Sequence, residues 1–378
     1  MRIAMFSDSY YPYISGVTRA VAVAKETLSS MGHEVSVFCP AYPGCVREEG
    51  VHRLPSFRAP TNAGYYVAYP FFPRLAHWVA HAKPDVIHIH SPFNLGRAGF
   101  RVGRRLGIPV VFTYHTMYNM YAHYVPLFGG SVSGIVEGLA FQVARSVDAV
   151  VTPSSVLADY LRTHAVTSPL FPIPNGINVA EFQSGDPAYL RDTLNIPPGG
   201  KIILTCSRLG VEKNVETLLR SFALASQKAD ATLVLVGDGP LRASLESLTL
   251  SLGVKERTRF AGSVPPARMP DFYAGADMFL FASLTDTQGL VVVEAKAAGL
   301  PAVAVGALGV KDMVEHGVDG FLCRNDPAEL AQKTVDLLSQ PDTLSTMKAA
   351  AERNAYRFSR ETSAAKLLDC YRSVVKRP

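Results

Sequence analysis

The sequence predicts an α/β protein built from two doubly wound parallel sheets, and three observations predict it. The chain has 378 residues, too many for one such sheet and suited to two domains of about 180 residues each. Short apolar runs rich in β-branched residues alternate with amphipathic stretches, which is the pattern of βα units around a parallel sheet. The alternation then halts at a turn-rich stretch near the middle and begins again.

In order, the first set of strands is expected at Arg2 to Phe6, Glu34 to Cys39, Val86 to His90, Val110 to Thr113 and Ala149 to Thr152. Pro172-Ile173-Pro174-Asn175-Gly176-Ile177-Asn178 follows; proline blocks helix there and Asn-Gly favours a turn, so the hinge is placed in it. The second set is expected at Lys201 to Cys206, Thr232 to Val236, Thr258 to Ala261, Met278 to Ala282 and Pro301 to Val305. A closing helix from about Ser359 to Lys376 carries Ala365, Leu368, Tyr371 and Val375 on one side and is expected to pack back onto the first half. The expected domains are therefore 1–175 with the terminal segment 359–378, and 176–358. Both are Rossmann-like.

Composition limits the function classes. With 48% hydrophobic and 18% charged residues the chain can bury a core in each half and is not dominated by disorder. Five scattered cysteines form no CxxC pair, which argues against a zinc ribbon or disulfide framework and for a reducing compartment. Met1 runs directly into a strand-like segment with no signal core, so the protein is expected to stay in the cytosol. The most apolar long segment, Gly289 to Val310, contains Glu294 and Lys296 and is broken by Gly299-Leu300-Pro301; it makes a poor membrane span. Through Ala180 there are 14 lysines and arginines against 9 acidic residues, and 23 of each afterwards. The first half thus carries the whole excess of +5, which suggests an anionic surface as partner.

Three stretches carry chemistry. In Leu204-Thr205-Cys206-Ser207-Arg208-Leu209-Gly210-Val211-Glu212-Lys213-Asn214 a strand leads into a loop with two cations. Arg208 and Lys213 can converge on a diphosphate, whose negative charge grows as it leaves; a solvated surface loop is the plain alternative. In Ser283-Leu284-Thr285-Asp286-Thr287-Gln288-Gly289-Leu290 and the helical stretch after it, Asp286 and Glu294 are separated by seven residues. Asp286 suits sugar hydroxyls and Glu294 the vicinal hydroxyls of a ribose, because carboxylates accept from diols. The apolar flanks of Glu294, Val291 to Val293 and Ala295, suggest burial, and a buried carboxylate needs a partner. The helix amino end after Gly289 can face an anion. His115, in Thr113-Tyr114-His115-Thr116, falls at a strand's carboxyl edge, where doubly wound folds bind ligands. His88 and His90 share one strand face but lack the further ligands a metal site needs, and the chain has no Asp-x-Asp. No metal and no cofactor are expected.

This constellation resembles the retaining glycosyltransferases of family four over essentially the whole chain, through the Arg and Lys after the first strand of the second domain and the carboxylate-x7-Glu motif. The resemblance implies the GT-B fold, in which two Rossmann-like domains face a cleft, with a metal-independent reaction and closure of the domains over a nucleotide-sugar donor held by the second domain. It also implies that His115 faces the reacting sugar, bonding a hydroxyl or steadying the transition state, with a general-base role left open. Gly16, in Ser15-Gly16-Val17, is implied to let the backbone approach the donor phosphates, and Gly237, in Gly237-Asp238-Gly239-Pro240, to lie beside the base. The expected catalytic residues are His115, Arg208, Lys213 and Asp286. The expected donor-binding residues are Gly16, Ser207, Arg208, Lys213, Gly237, Asp286, Gln288, Gly289, Leu290 and Glu294. The chain departs from the family's pattern in one place: Asp286 stands where the family has its first glutamate. One methylene shorter, it either draws the sugar closer or alters the contact.

The acceptor is expected on the first half. Phe71, Phe72, Leu75, Trp78, Val79 and Ala82 recur at helical spacing, which reads first as an ordinary buried helix and second as one that dips into a bilayer interface. Arg97, Arg101, Arg104 and Arg105 form a basic face suited to anionic lipid headgroups. Nucleic acid is the weaker reading, because no RNA motif or stacking platform accompanies them. His90-Ser91-Pro92-Phe93-Asn94-Leu95-Gly96 and Thr113 to Tyr118, followed by Tyr121 and His123-Tyr124, resemble the bacterial diacylglycerol glucosyltransferases, which implies Ser15, Tyr118 and His123 on the acceptor side. The expected activity is transfer of glucose from UDP-glucose, with galactose second, to diacylglycerol at the inner face of the cell membrane. Alternatives are a GDP-mannose-dependent mannosyltransferase, a catalytically silent nucleotide-sugar-binding protein and a two-Rossmann epimerase.

Overall fold

A computed structural model of the chain describes residues 1–59, 64–117 and 129–375. The chain divides into two compact units, Met1–Gly176 with the segment from Arg360, and Ile177–Ser359.

The first unit contains β1 (Arg2–Phe6), β2 (Glu34–Pro40), β3 (Val51–Leu54), a two-stranded antiparallel pair β4 (Ser56–Arg58) and β5 (Tyr66–Ala68), then β6 (Val86–Ile89), β7 (Val110–Thr113), β8 (Ala149–Thr152) and β9 (Leu170–Pro172). Its main sheet runs β3-β2-β1-β6-β7-β8-β9, and every pairing is parallel. β6, β7 and β8 are buried at every position, as strands covered on both faces by helices must be.

Local signals fix the helix ends. Ser15 caps the helix Gly16–Ser30 by accepting from the Thr18 amide, which satisfies one of the amides left orphaned at a helix start. The helix Asn94–Leu106 stops where Gly107 turns left-handed. The helix Arg360–Val374 buries Ala364, Leu367, Leu368, Cys370 and Tyr371 in the same cluster as Ile3, Met5 and Val111. Ala365 is not on that side: it faces solvent, and Ala364 holds the core position.

The second unit contains β10 (Lys201–Cys206), β11 (Ala231–Val236), β12 (Thr258–Gly262), β13 (Met278–Phe281), β14 (Ala302–Val305) and β15 (Gly320–Cys323), ordered β12-β11-β10-β13-β14-β15 and all parallel. Strand alternation divides its core between two faces. Ile202, Leu204, Val234, Val236, Phe279 and Phe281 join one cluster, while Ile203, Leu233, Leu235, Met278 and Leu280 join the other. Each such side chain contributes roughly 1.5–3 kcal/mol on burial.

In both units the first strand is third in its sheet and the chain reverses its direction of winding beside it, between β1 and β6 and between β10 and β13. Ligands of open α/β sheets bind outside the carboxyl ends of the strands at such a switch point.

The helix read at Phe71 to Ala82 runs Phe72–Ala82 and buries Leu75 and Val79. This is the one-sided helix expected, with Arg74, His77 and His81 exposed on its other side; Phe71, which precedes its first turn, is 62% exposed. On the helix Asn94–Leu106, Arg97, Arg101, Arg104 and Arg105 are all exposed while Leu95, Ala98 and Val102 face the sheet.

Candidate active site

In the second unit, three loops at the carboxyl ends of β10, β11 and β13 are laced into one surface. After β10, Leu209 N donates to Asp238 O and Leu241 N to Leu209 O, which joins this loop to the one after β11. Gly237 makes that approach possible: its φ is +120°, and a Cβ there would lie 2.0 Å from Ser207 O. On the other side, Leu284 N and Ser283 Oγ both donate to Glu212 O, at 3.4 and 3.3 Å, and Asn214 Nδ2 donates to Ala282 O at 3.1 Å. Ser207, Arg208, Lys213, Gly237 and Asp286 therefore share one edge.

Lys213 Nζ donates to both carboxylate oxygens of Asp286, each at 2.9 Å. The expectation gave these residues separate partners, a phosphate and a sugar; the structure pairs them with each other, because β10 and β13 are neighbours in the sheet and their loops start side by side. Arg208 is exposed on the same loop. Behind Asp286, Gly309 N donates to Asp286 O, and Gly289, at φ +81°, starts the helix Leu290–Ala297. Gln288 is buried and Leu290 half-buried. Glu294 lies inside that helix at 4% exposure, and the partner its burial requires is Tyr273, whose hydroxyl donates to Oε2 at 2.9 Å.

In the first unit, the carboxyl ends of β6 and β7 gather three buried histidines. His88 stands between two hydroxyls, Nδ1 2.7 Å from Tyr371 Oη and Nε2 2.6 Å from Thr113 Oγ1. A neutral ring suits this setting, since one ring nitrogen donates and the other accepts. The His90 ring lies 4.0 Å from that of His88, and His90 Nδ1 is 3.1 Å from His115 Nε2. Burial disfavours the charged form. It pushes His88 down to about 3 and His115 down to about 4, and it lowers His90 as well. His90 Nε2 is buried without a hydrogen-bond partner and lines a cavity of about 30 Å³ with His88, Thr113 and His115. Desolvation thus favours a neutral imidazole at His115, fit to bond a hydroxyl.

Ser15 lies at the end of the loop after β1, where its hydroxyl serves as the helix cap and also meets Thr18 Oγ1 at 3.0 Å. The space beside Gly16 is open, with nothing within 4 Å of a Cβ built there. Tyr118 and His123 lie outside the described residues. Among the described residues no group of three His, Cys, Asp or Glu side chains is arranged to hold a metal ion.

Residues 14–181 match the model for Glycosyltransferase Family 4 and residues 189–354 that for Glycosyl transferases group 1. An alpha-monoglucosyldiacylglycerol synthase of Streptococcus pneumoniae is 32% identical, over 85% of this chain and 75% of its own. Another, from Acholeplasma laidlawii, is 30% identical over 96% of this chain and 95% of its own. The chain belongs to glycosyltransferase family 4.

Solved structures agree on the fold of this glycosyltransferase. Sucrose-phosphate synthase from Thermosynechococcus elongatus matches with a TM-score of 0.77 at 22% identity, over 99% of this chain and 98% of its own. The HepE protein of Anabaena in complex with UDP matches with a TM-score of 0.77 at 20% identity, over 99% of this chain and all of its own. A GDP-mannose-dependent alpha-mannosyltransferase of Corynebacterium glutamicum is 28% identical over 99% of this chain and 89% of its own.

Sequence reasoning missed the partners of two buried charged residues near these elements. Asp8, buried after β1, accepts from the Leu95 amide at 2.8 Å and from Ser91 Oγ, so it caps the helix that carries the basic face. Desolvation raises its pKa, outweighing the bonds it accepts. Lys296 lies two residues beyond Glu294, buried against Asp319 at 2.6 Å, and donates to Met313 O. A Lys inside the apolar run Val291 to Ala298 was the available signal, since a buried cation requires an anion.

Proposed function

We propose that this glycosyltransferase moves glucose from UDP-glucose to the free hydroxyl of diacylglycerol, with retention of configuration and without a metal or cofactor, working peripherally at the inner face of the cell membrane. The observation that carries the reading is the laced edge of the second unit at the switch point, where Lys213 pairs with Asp286 and Arg208 lies exposed on the same loop as Lys213. Fixed cations there suit a diphosphate whose charge grows as the anomeric bond breaks. The bond from the anomeric carbon to the diphosphate oxygen breaks, a bond to the acceptor oxygen forms on the same side, and the hydroxyl proton leaves with the diphosphate.

Relatives support the donor and acceptor: two are named alpha-monoglucosyldiacylglycerol synthases, and HepE has been solved with UDP and with UDP-glucose. In the first unit His115 supplies a neutral ring to the sugar or the acceptor hydroxyl. The exposed Arg97, Arg101 and Arg105 supply a basic face for anionic headgroups. No described helix is long and apolar enough to cross a membrane.

The test offers diacylglycerol in anionic vesicles with UDP-glucose, UDP-galactose or GDP-mannose separately and follows new lipid by mass spectrometry. Hexosyl-diacylglycerol from UDP-glucose is the expected result. Product from GDP-mannose alone would favour the second reading, a mannosyltransferase, which rests on the GDP-mannose-dependent relatives. Nucleotide binding without any turnover would leave a silent binder.

A further inference from the structure

We propose that Asp286 is a specificity-determining residue: through its ion pair with Lys213 it makes the site favour the intact nucleotide sugar over the bare nucleoside diphosphate. The inference rests on the donor reading above.

Both oxygens of Asp286 lie 2.9 Å from Lys213 Nζ, so the carboxylate spends both on one ammonium. The two side chains are 21% and 17% exposed, open enough for a ligand to reach and shielded enough that water screens the pair only in part. Bonds from the Leu284 amide and the Ser283 hydroxyl to Glu212 O, and from Asn214 Nδ2 to Ala282 O, hold the two loops together. The charges therefore cannot separate by loop movement alone.

A diphosphate that arrives by itself must do one of two things. It can draw Lys213 away and leave Asp286 without its partner, or it can join the pair and sit beside a carboxylate. Both oppose binding, because a partly desolvated charge that loses its partner is costly and like charges repel. An intact nucleotide sugar brings hydroxyl donors that replace the ammonium at Asp286 while its phosphates take Lys213. The exchange is complete only for the donor. Once the sugar has moved to the acceptor, Asp286 recaptures Lys213 and the diphosphate is held less tightly, which favours its release.

The experiment measures calorimetric binding of UDP to the full-length protein and to Asp286→Asn, Lys213→Met and the double variant. Circular dichroism and thermal unfolding verify that each variant is folded. Asp286→Asn is expected to bind UDP about three- to tenfold more tightly than the unmodified protein. That gain should vanish in the Lys213→Met background, while the KM for UDP-glucose rises in Asp286→Asn. Unchanged or weaker UDP binding by Asp286→Asn overturns the proposal, and so does a gain that persists in full without Lys213. If the unmodified protein binds neither UDP nor GDP, the donor reading itself fails, and this is distinguishable because it needs no variant.

Discussion

Both units wind outward in two directions from their first strand, one into seven strands and the other into six, yet they bury polar groups in opposite ways. Beside its sheet the first unit places His88 between Tyr371 and Thr113 with His90 and His115 alongside, a polar cluster kept uncharged by desolvation. The second unit places Lys296 against Asp319, almost fully buried. At the functional edges the contrast repeats, with neutral imidazoles in one and the paired charges Lys213 and Asp286 in the other. One pattern of winding can therefore present either a neutral hydrogen-bonding surface or a charged one. The choice lies in a few side chains at strand ends.

Breaking each buried contact separates the two strategies. Asp319→Ala leaves the Lys296 ammonium buried without its anion and is expected to cost about 3–5 kcal/mol in denaturant unfolding. Arg208→Ala tests the charged edge without disturbing a core; kcat/KM for sugar transfer is expected to fall by roughly 10²–10³, the scale for removing one stabiliser of developing negative charge. Tyr371→Phe removes only a neutral partner of His88 and is expected to cost about 1–3 kcal/mol, less than Asp319→Ala.

Acid should sharpen the difference further. His88, His90 and His115 have folded pKa values depressed below the ordinary 6.5, so between that value and about 4 the unfolded chain binds more protons than the folded one. Stability is then full above about pH 6.5 and falls on acidification, by up to ~1.4 kcal/mol per pH unit for each histidine that follows this scheme. Thermal unfolding at pH 7 and pH 5 should show a lower Tm at pH 5, and Tyr371→Phe should add its penalty at both.

The strands legible in the sequence were those whose apolar runs are buried on both faces, such as Val110–Thr113 and Met278–Phe281. The strands not anticipated were short or lay at edges: Val51–Leu54 carries His52 and Arg53, Leu170–Pro172 ends in the proline read as a turn, and Gly320–Cys323 opens on glycine. Burial of Glu294 was readable from its apolar flanks. Its bond to Tyr273 was not, and neither were the pairs Lys213–Asp286, 73 residues apart, and His88–Tyr371, 283 apart. Local pattern reports which face of an element is buried. Which side chains meet across a sheet depends on strand order, and spacing along the chain does not encode that.

The most direct test of the central account is proton NMR of the anomeric position in glycolipid made from UDP-glucose and diacylglycerol vesicles. The account predicts a glucosyl-diacylglycerol with the α configuration of the donor. A β-linked product, or release of UDP with no sugar on the lipid, would contradict it.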